Sequence, residues 1–286
     1  ARLFALRNRT LVALLALMQL AILGGALGTY RQGRRAVHAA ESARRQAAKK
    51  QEAFDFLRAL IELARPEGNR GREYTLRELL DRADGFLPEV VRDAEVRAIL
   101  QGFLGNAYAS LGELEQAERD LRAAHGALCD ELGDAAPESL QAGMDLGGFQ
   151  ANLGRHAEAE ELLTSILAHA RNGSSELDPL RLRAEHELGC ALVLSARWEQ
   201  AGELLEGALA GRKQVLGEEH EETLETLGVL GVLWTDERRF EEAERALLQV
   251  LDGQRRVLGP DHPRTLTTLN NLATLYADLE RHPEAL

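Results

Sequence analysis

Four groups of residues in this 286-residue sequence have types that could do chemistry. Gly147-Gly148-Phe149-Gln150-Ala151-Asn152-Leu153-Gly154 has the glycine content of a phosphate-wrapping loop. Such a loop follows a strand and carries Lys-Ser or Lys-Thr, whose ammonium and hydroxyl reach the phosphates and their metal. Neither feature is present, so these glycines call for a packing explanation. Glu218-Glu219-His220-Glu221-Glu222 offers carboxylates and an imidazole, as a cation site would. Acids also suit the start of a helix, where they meet the positive end of its dipole. His156 and His282 have no partner at a spacing useful for general-base catalysis. Cys129 and Cys190 are the only cysteines, too few for a disulfide framework or a four-thiolate zinc centre. The expectation is a chain without catalytic residue, metal or cofactor.

The same residues find places in a repeat. Steps of 42 from Leu104 reach Leu146, Leu188, Leu230 and Leu272, and steps from Ala117 reach Ala159, Ala201, Ala243 and Ala285. Gly105, Gly147, Gly189, Gly231 and Ala273 form a small row, and Leu121, Leu163, Leu205 and Leu247 a leucine row. A bulky row holds Leu114, His156, Trp198, Phe240 and His282, and His220 shares its register with His262. A period between 20 and 50 residues is the mark of a solenoid.

Each unit reads as two antiparallel helices. Leu104-Gly105-Asn106-Ala107-Tyr108 lies on the first, where Gly105 admits a neighbouring helix, and Leu111-Gly112-Glu113 makes the turn. Ala117, Leu121, Ala124 and Leu128 put an apolar stripe on the second. Leu-Gly at 132–133, 216–217 and 258–259 marks its end, where glycine supplies a left-handed cap. Pro179 and Pro263 open first helices, because the first helical position needs no backbone N–H.

Upstream, Leu11 to Gly28 is an uncharged stretch of 18 residues. Extended to 10–30, it forms a helix of about 20 residues, roughly 30 Å long, the thickness of a bilayer's hydrocarbon core. Arg7 and Arg9 fence one side, and Tyr30, Arg31, Arg34 and Arg35 the other, as expected of a spanning helix. A buried core helix and a cleaved signal peptide are the alternatives. Charge does not orient the segment, since the basic residues flanking it are about equally dense on both sides. The basic run at 31–50 suits either anionic headgroups or a solvated helix. A helix is expected from Ala36 to Ala64, with Phe54, Leu57, Ile61 and Ala64 as its apolar stripe, ended by Pro66 and Gly68. Thr75 and Glu78 have capping-box spacing and open a further helix carrying Leu76, Leu79, Leu80 and Ala83.

Residues 1–50 carry ten basic side chains against one acid, so the remaining 236 have 24 basic and 45 acidic residues, a net of −21. That excess repels nucleic acid, whose binding requires Lys and Arg to displace counterions.

The repeat rows resemble the tetratricopeptide family in its long variety, as in kinesin light chains and many bacterial proteins. Leu104-Gly105-Asn106-Ala107-Tyr108 with Gly112, Leu114 and Ala117 carries the likeness, as do Asp261-His262-Pro263-Arg264-Thr265-Leu266 and Asn270-Asn271-Leu272-Ala273 with Leu275-Tyr276. Departures fall at the turns, where Ala196, Arg238 and Glu280 replace glycine, and at Ser174, where the Leu-Gly cap is lost. The resemblance implies a right-handed superhelix, so with the membrane segment the expected fold is all-α, a single transmembrane helix followed by that superhelix. Its expected divisions are a truncated flank 1–9, the membrane helix 10–30, a basic juxtamembrane helix 31–66, a capping region 67–92, and an array of about five units over 93–286 whose last unit is cut short, as in a fragment.

In such arrays first helices line a concave groove that binds protein or peptide partners. Helical spacing from the packed rows then exposes Ile99, Gly102, Asn106, Gln141, Met144, Asn152, Arg183, His186, Glu225, Thr267, Asn270 and Thr274 on that face. Asn side chains there can bond an extended peptide backbone. The Lys and Arg cluster that would clamp a terminal carboxylate is missing. The expected function is a membrane-tethered interaction scaffold. The order of segments, with Phe54-Asp55-Phe56-Leu57 and Tyr74 to Leu80, also resembles the C-terminal half of membrane-anchored bacterial serine/threonine kinases. That resemblance implies a sensor or docking half, with a catalytic domain upstream of residue 1.

Overall fold

The computed structural model describes residues 44–62, 75–172 and 178–279. The expectations for 10–30, for Glu280, His282 and Ala285, and for Ser174 fall outside them. Eleven helices and no strand occur among the described residues, and none of those helices is long and apolar enough to cross a membrane. The chain divides into two compact units, Ala1–Glu62 and Leu63–Leu286.

In the first unit, helix α1 spans residues 44–62. Its expected stripe is corrected: Phe54, Leu57 and Ile61 are exposed, and Phe56 is buried instead. The sequence holds a second apolar row, Ala53, Phe56 and Leu60, at the same three- and four-residue spacing, and that row is the covered one.

The second unit begins with α2 (Leu76–Val90), where the Thr75 hydroxyl accepts from Glu78 N–H and the Glu78 carboxylate from Thr75 N–H. Its buried face is Leu80, Ala83 and Leu87, and Leu76 is exposed. Tyr108 Oη donates to Asp81 at 3.0 Å and Arg119 pairs with Asp84 at 2.9 Å, holding α2 on the first repeat as a cap. Four helical hairpins and a final first helix follow. The first helices are α3 (Ala94–Ser110), α5 (Pro137–Asn152), α7 (Pro179–Leu194), α9 (Glu221–Asp236) and α11 (Pro263–Asp278). The second helices are α4 (Leu114–Leu132), α6 (His156–Arg171), α8 (Trp198–Leu216) and α10 (Phe240–Val257).

The rows of 42 are the core. All five leucines from Leu104 to Leu272 are buried, and Ala117, Ala159, Ala201 and Ala243 are fully so. A Cβ added at Gly105, Gly147, Gly189 or Gly231 would lie 2.9, 2.7, 2.6 or 2.8 Å from Cγ of Leu121, Leu163, Leu205 or Leu247. Each unit thus closes by a backbone seated on a leucine, which explains Gly147 in the run that mimics a phosphate loop, while Gly154 there is a turn residue with positive φ. The bulky row is less enclosed than expected. It starts each second helix, where Leu114 and Trp198 remain 46% and 39% exposed.

At the turns the departures from glycine leave the shape intact. Gly112, Gly154, Ala196 and Arg238 all have positive φ, at 78°, 77°, 57° and 60°, and the residue after each donates to the carbonyl five positions back. The Leu-Gly ends differ from the expected left-handed cap: Gly133 and Gly217 pair φ of 89° and 94° with ψ of 159° and 165°. That region is essentially confined to glycine.

The backbones of successive first helices approach one another closely, whereas those of second helices of successive units do not. The first-helix side is therefore the inner side of the curve. Second helices are joined instead by ion pairs between units, Arg155 with Glu118 and Arg197 with Glu160. Gly202 leaves the next step without an acid, and Arg239 turns to Glu242 and lies 5.2 Å over the Trp234 ring.

Candidate functional site

The inner face gathers five of the expected residues around one hollow. Ile99, Gly102 and Asn106 of α3, Gln141 of α5 and Arg183 of α7 line a cavity of about 300 Å³, together with Phe103, Glu138 and Asp145. Asn106 Nδ2 donates to Asp145 Oδ2 at 3.2 Å, and Arg183 pairs with the other oxygen of the same carboxylate. Farther along, Glu225 and Thr267 line a second hollow of about 200 Å³ with Val229, Val232 and Arg264. Asn270 and Thr274 are exposed on α11, where the Thr274 hydroxyl donates to the Asn270 carbonyl at 3.1 Å. Asn152 is exposed as the last residue of α5 and borders neither hollow.

Two expected groove residues are corrected. Met144 is fully buried among the core leucines, and His186 is 5% exposed. Both occupy the row aligned with Gly102 and Asn270. Because first helices of successive units touch, side chains in that row of the middle units fall between helices and are covered. Burial, reinforced by the Arg212 and Arg183 charges, lowers the His186 pKa to about 3. Cys190 Sγ lies 3.6 Å from His186 Nε2, and burial raises its thiol well above the ordinary range. The pair is neutral at pH 7 and is not an activated nucleophile, which requires a thiolate.

The row one position on was missed by sequence reasoning. It contains Phe103, Asp145 and Glu187, and the acid repeated 42 residues apart was the available signal. Burial raises the Glu187 carboxyl to about 7; Arg183 opposes the shift, Glu225 and Asp145 add to it, and Arg212 opposes it. Arg183 Nε lies 3.8 Å from Glu187, and Arg264 holds Glu221 at 2.7 Å and Glu225 at 3.5 Å. A line of alternating charge, richer in acid than in base, thus runs across α5, α7, α9 and α11.

The other chemical candidates have structural roles. His220 Nδ1 accepts from Glu222 N–H, and His262 Nδ1 from Arg264 N–H, so both cap first helices. Glu221 and Glu222 are bound by Arg264 and Arg212. Among the described residues no group of three or more His, Cys, Asp or Glu could hold a metal ion.

A curved stack of helical hairpins with a lined inner face defines an α-solenoid. Residues 183–222 and 232–286 match tetratricopeptide repeat models. Such arrays are in general non-catalytic scaffolds for protein–protein interaction. No curated protein sequence matches the chain. Among solved structures it is similar to the nearly identical TPR-like repeats of a Podosopora anserina putative kinesin light chain, at 26% identity over 68% of this chain and 92% of that one, TM-score 0.56. It is also similar to BtubC (BKLC) from P. vanneervenii, at 18% identity over 83% and 87%, TM-score 0.54. A Rap protein complexed with competence and sporulation factor has the same fold, at 16% identity over 73% and 65%, TM-score 0.55.

Proposed function

We propose that this chain is a membrane-tethered scaffold that holds an extended segment of a partner protein along its inner face. The observation that carries the reading is the apolar hollow rimmed by amides and charges on the first helices, formed by residues from three successive units. Stacked first helices offer a partner one continuous surface, and amides such as Gln141 can bond its backbone. The uncharged segment at 10–30, fenced by arginines, supplies a single-pass tether. The acidic body, net −21 over residues 51–286, disfavours nucleic acid as a partner.

Two measurements test this. Alkaline carbonate washing should leave the chain with the membrane; its release into the supernatant sinks the tether. Replacing Asn106 and Gln141 by Ala should weaken partner recovery without loss of helical circular dichroism. Equal losses from Glu161→Ala and Leu248→Ala, on second helices, would point to nonspecific association. The segment order also fits the docking half of a membrane-anchored serine/threonine kinase. A Gly-rich loop, a strand lysine and an HRD-like loop encoded upstream would establish that reading.

A further inference from the structure

We propose that the groove selects an extended peptide segment carrying an apolar side chain and a basic one a helix spacing away, the first entering the hollow between α3 and α5 and the second lying along Asp145, Glu187 and Glu225. The proposal rests on the groove reading above and gives its partner a chemistry.

The apolar half follows from the hollow's walls. Ile99, Gly102 and Leu128 line it, leaving room for one large side chain. Phe103 also lines it and is 67% exposed, an aromatic ring that a seated partner would cover. Gln141 is exposed alongside, and Asn106, whose Nδ2 is given to Asp145, keeps its oxygen as an acceptor for a backbone N–H.

The basic half follows from charge complementarity. Arg183 and Arg264, which line the two hollows, are already held, the first by Asp145 and the second by Glu221 and Glu225. They are outnumbered by Glu138, Asp145, Glu187, Glu221 and Glu225, so an acidic peptide meets repulsion and a cationic side chain fills a deficit. Facing Glu187 are Arg183 and Cys190 on its own helix, Asp145 from α5, Arg212 from α8 and Glu225 from α9. His186, one position before it, is neutral. In that setting the Glu187 carboxyl titrates near 7, and an arriving ammonium or guanidinium favours its ionised form. Binding therefore releases a proton near neutrality and tightens as pH rises.

Neighbouring first helices are roughly 10 Å apart, a span of about three extended residues. A randomised peptide library selected on the immobilised full chain should therefore enrich Lys or Arg about three positions from an aliphatic or aromatic residue. For the enriched peptide, fluorescence anisotropy should give affinity that rises from about pH 6 to about pH 8. Glu187→Gln should weaken binding about tenfold and flatten that rise. Glu225→Gln should weaken binding in the same direction, and Phe103→Ala should weaken it at every pH. Enrichment of acidic or uncharged peptides indifferent to Glu187→Gln and Glu225→Gln overturns the proposal, while dependence on Phe103 would still uphold groove binding. If no peptide is selected, or if binding ignores Phe103→Ala and Gln141→Ala, both readings fall.

Discussion

Gly189→Ala tests the close approach on which the repeat is built. The new methyl would lie 2.6 Å from Leu205 Cγ and 2.8 Å from its Cδ2, and Leu205 is fully buried. Contacts that short require the second helix to move away. Overpacking of a filled core costs about 1–3 kcal/mol, against the roughly 1 kcal/mol by which alanine exceeds glycine in a helix. The net is a loss of up to about 2 kcal/mol. Gly126→Ala is the matched control: it lies within α4, is exposed, and no atom lies within 4 Å of its added Cβ. It should gain about 1 kcal/mol, so the two variants should differ by about 1–3 kcal/mol. Guanidinium unfolding followed by far-ultraviolet circular dichroism measures both. In a Leu205→Ala background Gly189→Ala should become neutral or stabilising, because the clashing atoms are gone. If Gly189→Ala stabilises the native chain as much as Gly126→Ala does, the leucine is not seated on the glycine and the packing account is wrong.

Ala196→Gly and Arg238→Gly should each stabilise by about 1 kcal/mol, since both residues hold positive φ that glycine adopts without strain; unchanged midpoints in the same unfolding assay would count against strained turns. Gly217→Ala should destabilise by more than 1 kcal/mol in rough terms, because its backbone region is essentially glycine-only, and a smaller loss would mean the helix end readily adopts another shape. The His186 pKa lies at about 3, below the ordinary 6.5, so the unfolded chain binds more protons between those values and stability falls as pH drops through that window. His186→Met, the residue its row carries at Met144, should reduce that acid sensitivity; an unaltered pH profile of unfolding would show that the imidazole is not buried neutral.

What the sequence made legible is whatever repeats within one unit. Leu104 and Ala117 recur because each unit must close on itself, and the small row beside them records where a helix seats on a leucine. The Thr75 capping box was legible because its partners lie three residues apart. Features that depend on how one unit meets the next were harder to read. Met144 and His186 are covered because first helices touch, a fact of curvature that helical spacing does not contain. The ion pairs of Arg155 with Glu118 and Arg197 with Glu160 join residues 37 apart, out of step with the 42-residue rows. Ala196 and Arg238 depart from glycine at the turns, yet the hydrogen bonds of the flanking helices hold the same backbone shape. The charge environment of Glu187 comes from several helices at once, and only an assembled groove brings Asp145, Arg212 and Glu225 to it.

Groove binding places partners along the first helices. Its most direct measurement is site-specific photocrosslinking in cells, with the photoreactive residue placed in turn at Gln141 and Thr267 on the inner face and at Glu161 and Leu248 on second helices, all four exposed. Discrete crosslinked proteins are expected from Gln141 and Thr267, with none in common with Glu161 and Leu248. Crosslinks from the second-helix positions alone, or the same products from all four, would contradict groove binding.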